Sequence, residues 1–253
     1  MNARRIALLC AILLALAGCA KSKDPGYQGW VEADLIFVSP DEAGRVETLP
    51  VREGDAVEKG APLFSVDPDL QQSDVEMARA SVTNATQAYE RALSLLRTSA
   101  GTQKAVDDAE ATRRTAQARL ASAQTRLARR KLSSPVSGTV QQIYYRPGEV
   151  APAGRPVVSL LPPGNIKIRF FVPETVLPKV TLGDAVMIHC DGCKADVPAR
   201  VTFISRTSEF TPPVIYSLDE RSKLVFLVEA RTEASGDLRV GQPVDVRFAE
   251  ARK

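Results

Sequence analysis

The sequence contains few of the residues from which catalytic and ligand-binding sites are usually built. Among 253 residues there are one histidine, one tryptophan and 6% aromatic residues, which disfavours hydrolase chemistry, metal sites and aromatic ligand pockets. Lysine and arginine number 33 against 30 aspartates and glutamates, and this near balance excludes a general electrostatic hold on nucleic acid. Apolar residues make up 44% and charged residues 25%, as in a folded protein. We predict no catalytic residues, no cofactor and no metal site.

The sequence also has no apolar run long enough to cross a bilayer comfortably. The run from Ile6 to Ala17 follows two arginines and has the length of the hydrophobic part of a signal peptide. It ends in Leu16-Ala17-Gly18-Cys19, which resembles the bacterial lipobox, whose cysteine receives diacylglycerol. We predict a lipoprotein signal peptide over residues 1–18, a lipid anchor on Cys19 and a tether over 19–30. The alternative is an ordinary signal peptide with an incidental cysteine. The residues after Cys19 give conflicting signals for inner-membrane or outer-membrane sorting.

Two stretches of the chain match one another at an offset of 94 residues. Each reads G-x-V, then R-x-G-[DE], then G-x-P, and the two copies begin at Gly44 and Gly138. Such self-similarity indicates two matching half-domains of short strands and tight turns. The pattern resembles the lipoyl/biotinyl domain, to which we assign residues 31–67 and 134–162. In carrier versions of that domain a lysine between the halves takes the cofactor, but here residues 68–133 stand in its place.

Those inserted residues, 68–133, have the pattern of two helices. Asp67-Pro68 is a favourable helix start, Gly101 stands alone as a stop, and Pro135 ends the run. Apolar side chains recur at heptad spacing with alanines between them, which predicts an antiparallel coiled-coil α-hairpin. The alternative is a pair of helices from an ordinary bundle. The heptad positions are Val75, Val82, Tyr89 and Leu96 on the first arm and Val106, Leu120 and Leu127 on the second, where Arg113 interrupts the register. We interpret the cluster of Arg126, Arg129, Arg130 and Lys131 as a solvated helix end.

Residues 163–250 predict a small antiparallel β-barrel of five or six strands, because β-branched and aromatic runs alternate there with turn signals. The one chemical motif is Cys190-Asp191-Gly192-Cys193, in which Asp-Gly predicts a tight turn that brings the cysteines opposite one another. We predict a disulfide between Cys190 and Cys193. Free thiols, a metal site and a redox-active thiol pair are the alternatives. The predicted fold class is α+β: a split lipoyl-like β-sandwich, interrupted by an antiparallel coiled-coil α-hairpin and followed by a small antiparallel β-barrel.

The order of these parts is similar to that of the HlyD-like periplasmic adaptors, the membrane fusion proteins of tripartite efflux pumps and exporters. Family hairpins that dock on an outer-membrane channel carry Arg-x3-Leu-x6-Ser near the tip, and Arg91, Leu95 and Thr102 stand at that spacing here. Residues 208–213 together with 224–226 look like the barrel of adaptors that pair with ABC-type exporters. Many family members add a membrane-proximal β domain, and this sequence leads us to expect that domain to be missing or vestigial.

The resemblance implies a non-enzymatic adaptor for transmembrane transport of small molecules. It would bridge an inner-membrane transporter of ABC type to an outer-membrane channel and would assemble with itself, as a hexamer. We expect it on the periplasmic side of the inner membrane, held there by the lipid on Cys19, and expect no nucleic-acid partner. Two alternatives stay open: a lipoyl- or biotinyl-type carrier subunit, and a lipoprotein scaffold without a transporter.

Overall fold

The computed structural model describes residues 26–193, 195–210, 224–232 and 238–249. The chain divides into two compact units: Ala33–Asn165, and the segments on either side of it. In chain order the elements are β1 (Tyr27–Ala33), β2 (Ile36–Val38), β3 (Gly44–Thr48), β4 (Ala56–Val57), β5 (Pro62–Val66), α1 (Asp69–Arg97), α2 (Gln103–Ala128), β6 (Lys131–Ser133), β7 (Gly138–Ile143), β8 (Val150–Ala151), β9 (Val158–Leu161), β10 (Ile166–Pro173), a 3₁₀ turn (Leu177–Lys179), β11 (Ala185–His189), β12 (Val197–Phe210), β13 (Leu224–Arg231) and β14 (Pro243–Phe248).

The unit Ala33–Asn165 contains two four-stranded sheets, with strand orders β2-β9-β7-β4 and β6-β5-β3-β8. Each sheet takes strands from both copies of the sequence repeat, so neither copy forms a sheet alone. The hydrophobic core between them is made of valine and leucine side chains that alternate along the strands, and several are fully buried. These include Val46, Leu63, Val66, Val140, Val158 and Leu160.

The two copies of the repeat exchange equivalent hydrogen bonds across the sandwich. The Gly54 N–H donates to the carbonyl of Val140, and the Gly148 N–H donates to the carbonyl of Val46, both at 2.8 Å. Residues 54 and 148 are 94 apart, and so are residues 46 and 140. The offset in the sequence is therefore a pseudo-twofold relation in the structure, in which each half supplies the same turn to the other.

Among the residues that the structure describes, the same four-residue turn occurs four times, twice in the sandwich and twice in the second unit. Its third residue is a glycine with φ between +84° and +94°, a backbone conformation that disfavours other residues. The side chain of its fourth residue accepts a hydrogen bond from the backbone N–H of the first. The glycine N–H donates to the carbonyl of a buried valine on a neighbouring strand, and the N–H of the same valine donates to the carbonyl of the fourth residue. The turns are residues 52–55, 146–149, 181–184 and 239–242, and their valines are Val140, Val46, Val201 and Val31.

The helices α1 and α2 follow β5 and pack against one another along one face each. Asp74 lies 3.9 Å from Arg126, and the guanidinium of Arg113 lies 4.2 Å from the ring centre of Tyr89. Asp74 precedes Tyr89 along α1, whereas its partner Arg126 follows Arg113 along α2. The two helices are therefore antiparallel. The buried apolar side chains are Val75 and Ala85 on α1 and Val106, Ala116 and Ala123 on α2.

The end of α1 differs from the expectation that Gly101 stops it. Helix α1 ends at Arg97, and the residue in the left-handed conformation is Ser99, with φ +58°. The Ser99 and Ala100 N–H groups donate to the carbonyls of Leu96 and Leu95, which is the Schellman arrangement of a helix end. Gly101 serves close packing instead, because a Cβ there would lie 3.0 Å from the backbone nitrogen of Leu96.

The second unit is a closed barrel of six strands in the order β1-β10-β13-β12-β11-β14. Its first strand, β1, pairs with β14, so that Tyr27 stands opposite Val246 and Trp30 opposite Pro243. This corrects the sequence-based division of the chain, which gave residues 19–30 to a tether and residues 31–33 to the sandwich. The barrel interior is filled by alternate apolar side chains, among them Val31, Ile168, Phe170, Val186, Ile188, Val228 and Val246.

Candidate functional site

The described residues contain no grouping of three or more histidine, cysteine, aspartate or glutamate side chains that could hold a metal ion. The single histidine, His189, lies on the barrel surface, where its Nδ1 is 2.8 Å from a carboxylate oxygen of Asp196. Neither described helix is long and apolar enough to cross a membrane. The residues with functional potential therefore lie at the free end and the base of the hairpin, on the sheet surface and in the cysteine turn.

At the free end of the hairpin, the three residues predicted to dock a channel are all present near the α1–α2 connection. Arg91 and Leu95 lie one turn apart on α1, so they share a face of the helix, and Leu95 is 49% exposed. Thr102 is the N-cap residue of α2, and its hydroxyl oxygen accepts a hydrogen bond from the Ala105 N–H at 3.2 Å. That hydroxyl therefore caps a helix, and its hydrogen stays free to donate outwards.

The first turns of α2 add charge to this end. Lys104 Nζ lies 2.9 Å from a carboxylate oxygen of Asp108, one helical turn further on. The hydrogen bond to Asp108, and then the charge of that carboxylate, raise the pKa of Lys104. Lys104 is thus a fixed positive charge on a solvent-facing surface beside Thr102.

Arg113, which interrupts the heptad register, lies within the helix pair. Its guanidinium stacks over the Tyr89 ring at 4.2 Å, and its nearest carboxylate is Glu110 at 4.0 Å. A cation placed over a tyrosine ring within about 6 Å of its centre is attracted by the ring. The interruption is therefore a specific contact between the helices, although from the sequence it looked like a defect in the pattern.

At the base of the hairpin, Arg130 connects the helices to the sandwich. Its guanidinium donates to the carbonyl of Asp67 from two nitrogens, at 2.6 and 2.9 Å, and to the carbonyls of Glu42 and Ala43 at 3.3 and 3.4 Å. The side chain is buried, so its interpretation as part of a solvated helix end is wrong. Arg129 does match that interpretation, since it is exposed and pairs with Asp41 at 3.2 Å.

Gly44, the first glycine of the repeat, makes room for this arginine. A Cβ at Gly44 would lie 2.4 Å from Nη2 of Arg130 and 2.4 Å from Cγ1 of Val66. Its partner in the repeat, Gly138, is equally confined, because a Cβ there would lie 2.6 Å from the carbonyl oxygen of Leu161. Sequence reasoning found both glycines but missed the buried arginine against which one of them packs.

An aromatic pair is exposed on the sheet that contains β2 and β7. Phe37, on β2, is 55% exposed, and its ring centre lies 6.5 Å from that of Tyr144, which follows β7. Large apolar side chains on an outer sheet face are typical of surfaces that contact another protein.

The cysteine turn joins β11 to the segment before β12. Cys190 and Cys193 are bonded through their sulfurs, with Cα atoms 5.4 Å apart. The Cys193 N–H donates to the Cys190 carbonyl at 3.1 Å, and Gly192 has φ +86° between them. The connection from His189 to Val197 is longer than a two-residue hairpin, so the turn ends β11 without leading directly into β12. Cys19, the predicted lipid anchor, lies outside the described residues.

Comparison with known proteins gives matches to one family. The barrel-sandwich hybrid domain of RND membrane fusion proteins matches residues 35–161. The UPF0194 membrane protein YbhG of Salmonella newport (strain SL254) is 32% identical, with 95% of each chain covered. That alignment runs over 315 positions, so the relative has residues without a counterpart among these 253.

Solved structures share the fold. The membrane fusion protein Spr0693 from Streptococcus pneumoniae R6 is similar with a TM-score of 0.69 and 18% identity, covering 88% of this chain and 97% of its own. A MacA-MexA chimeric protein containing the Pseudomonas aeruginosa MexA α-hairpin domain has a TM-score of 0.73 and 19% identity, covering 89% and 84%. At these identities the likeness concerns the fold.

Proposed function

Since this chain belongs to the RND membrane fusion protein family, we propose that it is the periplasmic adaptor of an efflux or export complex. In this role it bridges an inner-membrane transporter to an outer-membrane channel, and the transported small molecule passes without chemical change. The observation that carries the proposal is the helical hairpin of about 40 Å inserted between the two halves of the sandwich and fixed there by Arg130. A carrier domain would present its cofactor lysine in that connection, which α1 and α2 occupy instead.

The free end of the hairpin is the proposed contact with the outer-membrane channel. Arg91 supplies an exposed cation, Leu95 an exposed apolar side chain, and Thr102 a hydroxyl that still has a hydrogen to donate. We expect α1 and α2 to behave as an antiparallel coiled coil, stiff enough to hold these groups away from the sandwich.

The test is site-specific crosslinking in intact cells, with a photoreactive residue at position 98 of the α1–α2 connection. Arg91→Glu should abolish or strongly reduce the crosslink to an outer-membrane channel protein, because it reverses the charge at the proposed contact. Arg119→Glu is the matched control, since Arg119 is also exposed but lies sixteen positions into α2. Equal crosslinking in the two variants would remove Arg91 from the docking site.

We further propose that copies of the chain assemble side by side into a ring, as a hexamer, through the sandwich. The exposed pair Phe37 and Tyr144 is the proposed apolar centre of that contact. Native mass spectrometry should show the assembly for the parent protein and smaller species for Phe37→Glu. Leu182→Glu, which puts the same charge on an exposed apolar position of the barrel, should leave the assembly intact. If both variants assemble alike, the aromatic pair is not part of the contact.

The transporter partner is proposed to be of ABC type and the anchor to be the lipid on Cys19. The cysteine turn at Cys190 and Cys193 is proposed to be a structural disulfide that holds the end of β11. Cys19→Ala should move the protein from the membrane fraction to the soluble periplasm, and unchanged fractionation would refute the anchor. Purification of the crosslinked complex should recover a transporter with nucleotide-binding domains, whereas a proton-driven transporter would correct the assignment.

A further inference from the structure

Two of the four equivalent turns lie in the barrel, and their second residues are apolar and exposed. The corresponding residues of the sandwich turns are Glu53 and Pro147, whereas the barrel turns have Leu182, 67% exposed, and Val240, 43% exposed. The hydrogen bonds of each turn are made by its other three residues. Leu182 therefore plays no part in holding the turn to its strand, and its side chain is available for a contact outside the chain.

The two barrel turns are at opposite ends of the barrel. The turn at 181–184 precedes Ala185, whose carbonyl accepts a hydrogen bond from the N–H of Ala249, just after β14. The turn at 239–242 leads directly into Pro243, the first residue of β14. The seven residues from Pro243 to Ala249 separate the two turns, which at 3.3 Å per residue is about 23 Å.

Leu182 lies at the same end of the barrel as the first residue of β1. Strand β1 is antiparallel to β14, with Tyr27 opposite Val246. Gly26 accordingly lies beside Arg247, and a Cβ on it would be 3.3 Å from the Arg247 Cγ. Continuing in the same direction along β14 leads to Ala249 and the turn that carries Leu182.

Phe203 is a second exposed apolar side chain at the same end. Val201 exchanges two hydrogen bonds with the turn: its N–H donates to the Asp184 carbonyl at 2.9 Å, and the Gly183 N–H donates to its carbonyl at 2.8 Å. Two residues further along β12, at the level of the tip of the turn, Phe203 is 48% exposed. Leu182 and Phe203 therefore project from neighbouring elements on this side of the barrel, where β12 continues past Phe203 to Phe210, paired with β13.

The charged side chains described around this end are of both signs, so the exposed apolar side chains are its distinguishing feature. The described charged residues are Lys179, Arg200, Arg206 and Arg247, and Glu174, Asp184 and Glu209.

We propose that Leu182 and Phe203 contact the lipid surface of the membrane in which Cys19 is anchored. The inference rests on the proposed lipid anchor. Gly26 is only seven positions after Cys19, so even a fully extended chain holds Gly26 within about 25 Å of the anchor. Along β14 the tip of the turn lies beyond Gly26 by at least about 7 Å, the length of two strand residues. Apolar side chains held this close enter the boundary between headgroups and acyl chains, to a depth of about 5–10 Å.

The experiment uses the full lipidated chain with an environment-sensitive fluorophore on a single added cysteine. Leu182→Cys places the label at the proposed contact, and Val240→Cys places it at the equivalent turn position at the other end of the barrel. The unlabelled parent is treated in parallel to establish that Cys190 and Cys193 do not react. The proteins are reconstituted into vesicles of phosphatidylethanolamine and phosphatidylglycerol, with and without brominated acyl chains.

The bromine atoms should quench the label at 182 at least about threefold more than the label at 240, because only the first reaches the acyl boundary. Adding Phe203→Ser to the Leu182→Cys protein should reduce that quenching. Equal quenching at the two positions would overturn the proposal, and so would a response at 182 that needs native membranes with their proteins. Flotation with the vesicles is scored separately, so a protein that does not float refutes the lipid anchor instead.

Discussion

Replacing Arg130 with alanine is expected to destabilise the protein by about 3 kcal/mol, since it removes the connection between the hairpin and the sandwich. Hydrogen bonds from a charged donor contribute about 1.5–3 kcal/mol each. Arg130 makes two of them to one acceptor, the Asp67 carbonyl, and two longer ones to the carbonyls of Glu42 and Ala43. Because Asp67 is exposed, water can replace part of the hydrogen bonding that its carbonyl loses. The net destabilisation is therefore expected near the lower end of the 3–5 kcal/mol seen when buried charged contacts are broken.

The measurement is urea unfolding followed by circular dichroism at the helix band, together with amide hydrogen exchange. Protection should fall most in the first turns of α1 and the last turns of α2, since both adjoin the lost contact. Arg129→Ala is the matched control, because its neighbouring guanidinium is 64% exposed and makes one surface ion pair, worth less than about 1 kcal/mol. Arg130→Lys should fall between the two, since it keeps the charge but loses the planar donor arrangement.

The reasoning would be refuted if Arg130→Ala and Arg129→Ala shifted the free energy of unfolding equally. It would also be refuted if Arg130→Ala destabilised the protein while leaving exchange at the hairpin base unchanged. In that case the buried arginine would stabilise the sandwich alone, and the hairpin would be held by its own helix contacts.

Three further predictions follow from the backbone geometry. Ser99→Gly should stabilise the protein by about 0.5–1 kcal/mol in thermal unfolding, because glycine adopts the left-handed conformation without strain; destabilisation would contradict the assigned helix end. Gly138→Ala should destabilise by about 2 kcal/mol or more, since its Cβ would press on the Leu161 carbonyl, and a neutral result would contradict the close approach. The hydrogen bonds from the Thr181 hydroxyl and N–H lower the pKa of Asp184 below its ordinary value of 3.8. The ionised carboxylate therefore stabilises the fold at pH values above 3.8, and this contribution is lost as the pH falls through the lowered pKa. The stability gap between the parent and Asp184→Asn should therefore be present at neutral pH and vanish in acid, and a gap that grows in acid would have the wrong sign.

The sandwich and the hairpin could be predicted from the sequence because their residue patterns repeat at regular spacing. The repeat at Gly44 and Gly138 predicted two matching halves, although not that they exchange strands, and the heptads predicted which faces of α1 and α2 meet. Strand β1 was missed because its residues, Tyr27–Ala33, alternate weakly and include a glycine, and the partner that makes it a strand, β14, lies more than 200 residues away. Such long-range pairing leaves no local trace in the sequence.

The residues that fix the hairpin were harder to predict for a different reason. Arg130 sits in a basic cluster, and nothing in its neighbours distinguishes it from Arg129, because its acceptors are backbone carbonyls, which carry no sequence signal. The one available hint was Gly44, whose missing side chain makes room for the guanidinium. Similarly, Ser99 adopts the conformation expected of glycine, since the Schellman hydrogen bonds of the helix end outweigh the preference of the residue.

The exchange of strands between the two halves of the sandwich bears on how the chain folds. The Val66 N–H donates to the Arg130 carbonyl, so two residues separated by 64 positions must meet before the sheets can form. Closing a flexible loop of that length costs about 3–4 kcal/mol in entropy. Helices α1 and α2 remove most of this cost, because they can pair progressively from the short connection at Ser99 towards the sandwich. Each new contact then closes only a short additional loop. The hairpin thus brings the two halves together during folding, and we expect its pairing to precede that of the sheets.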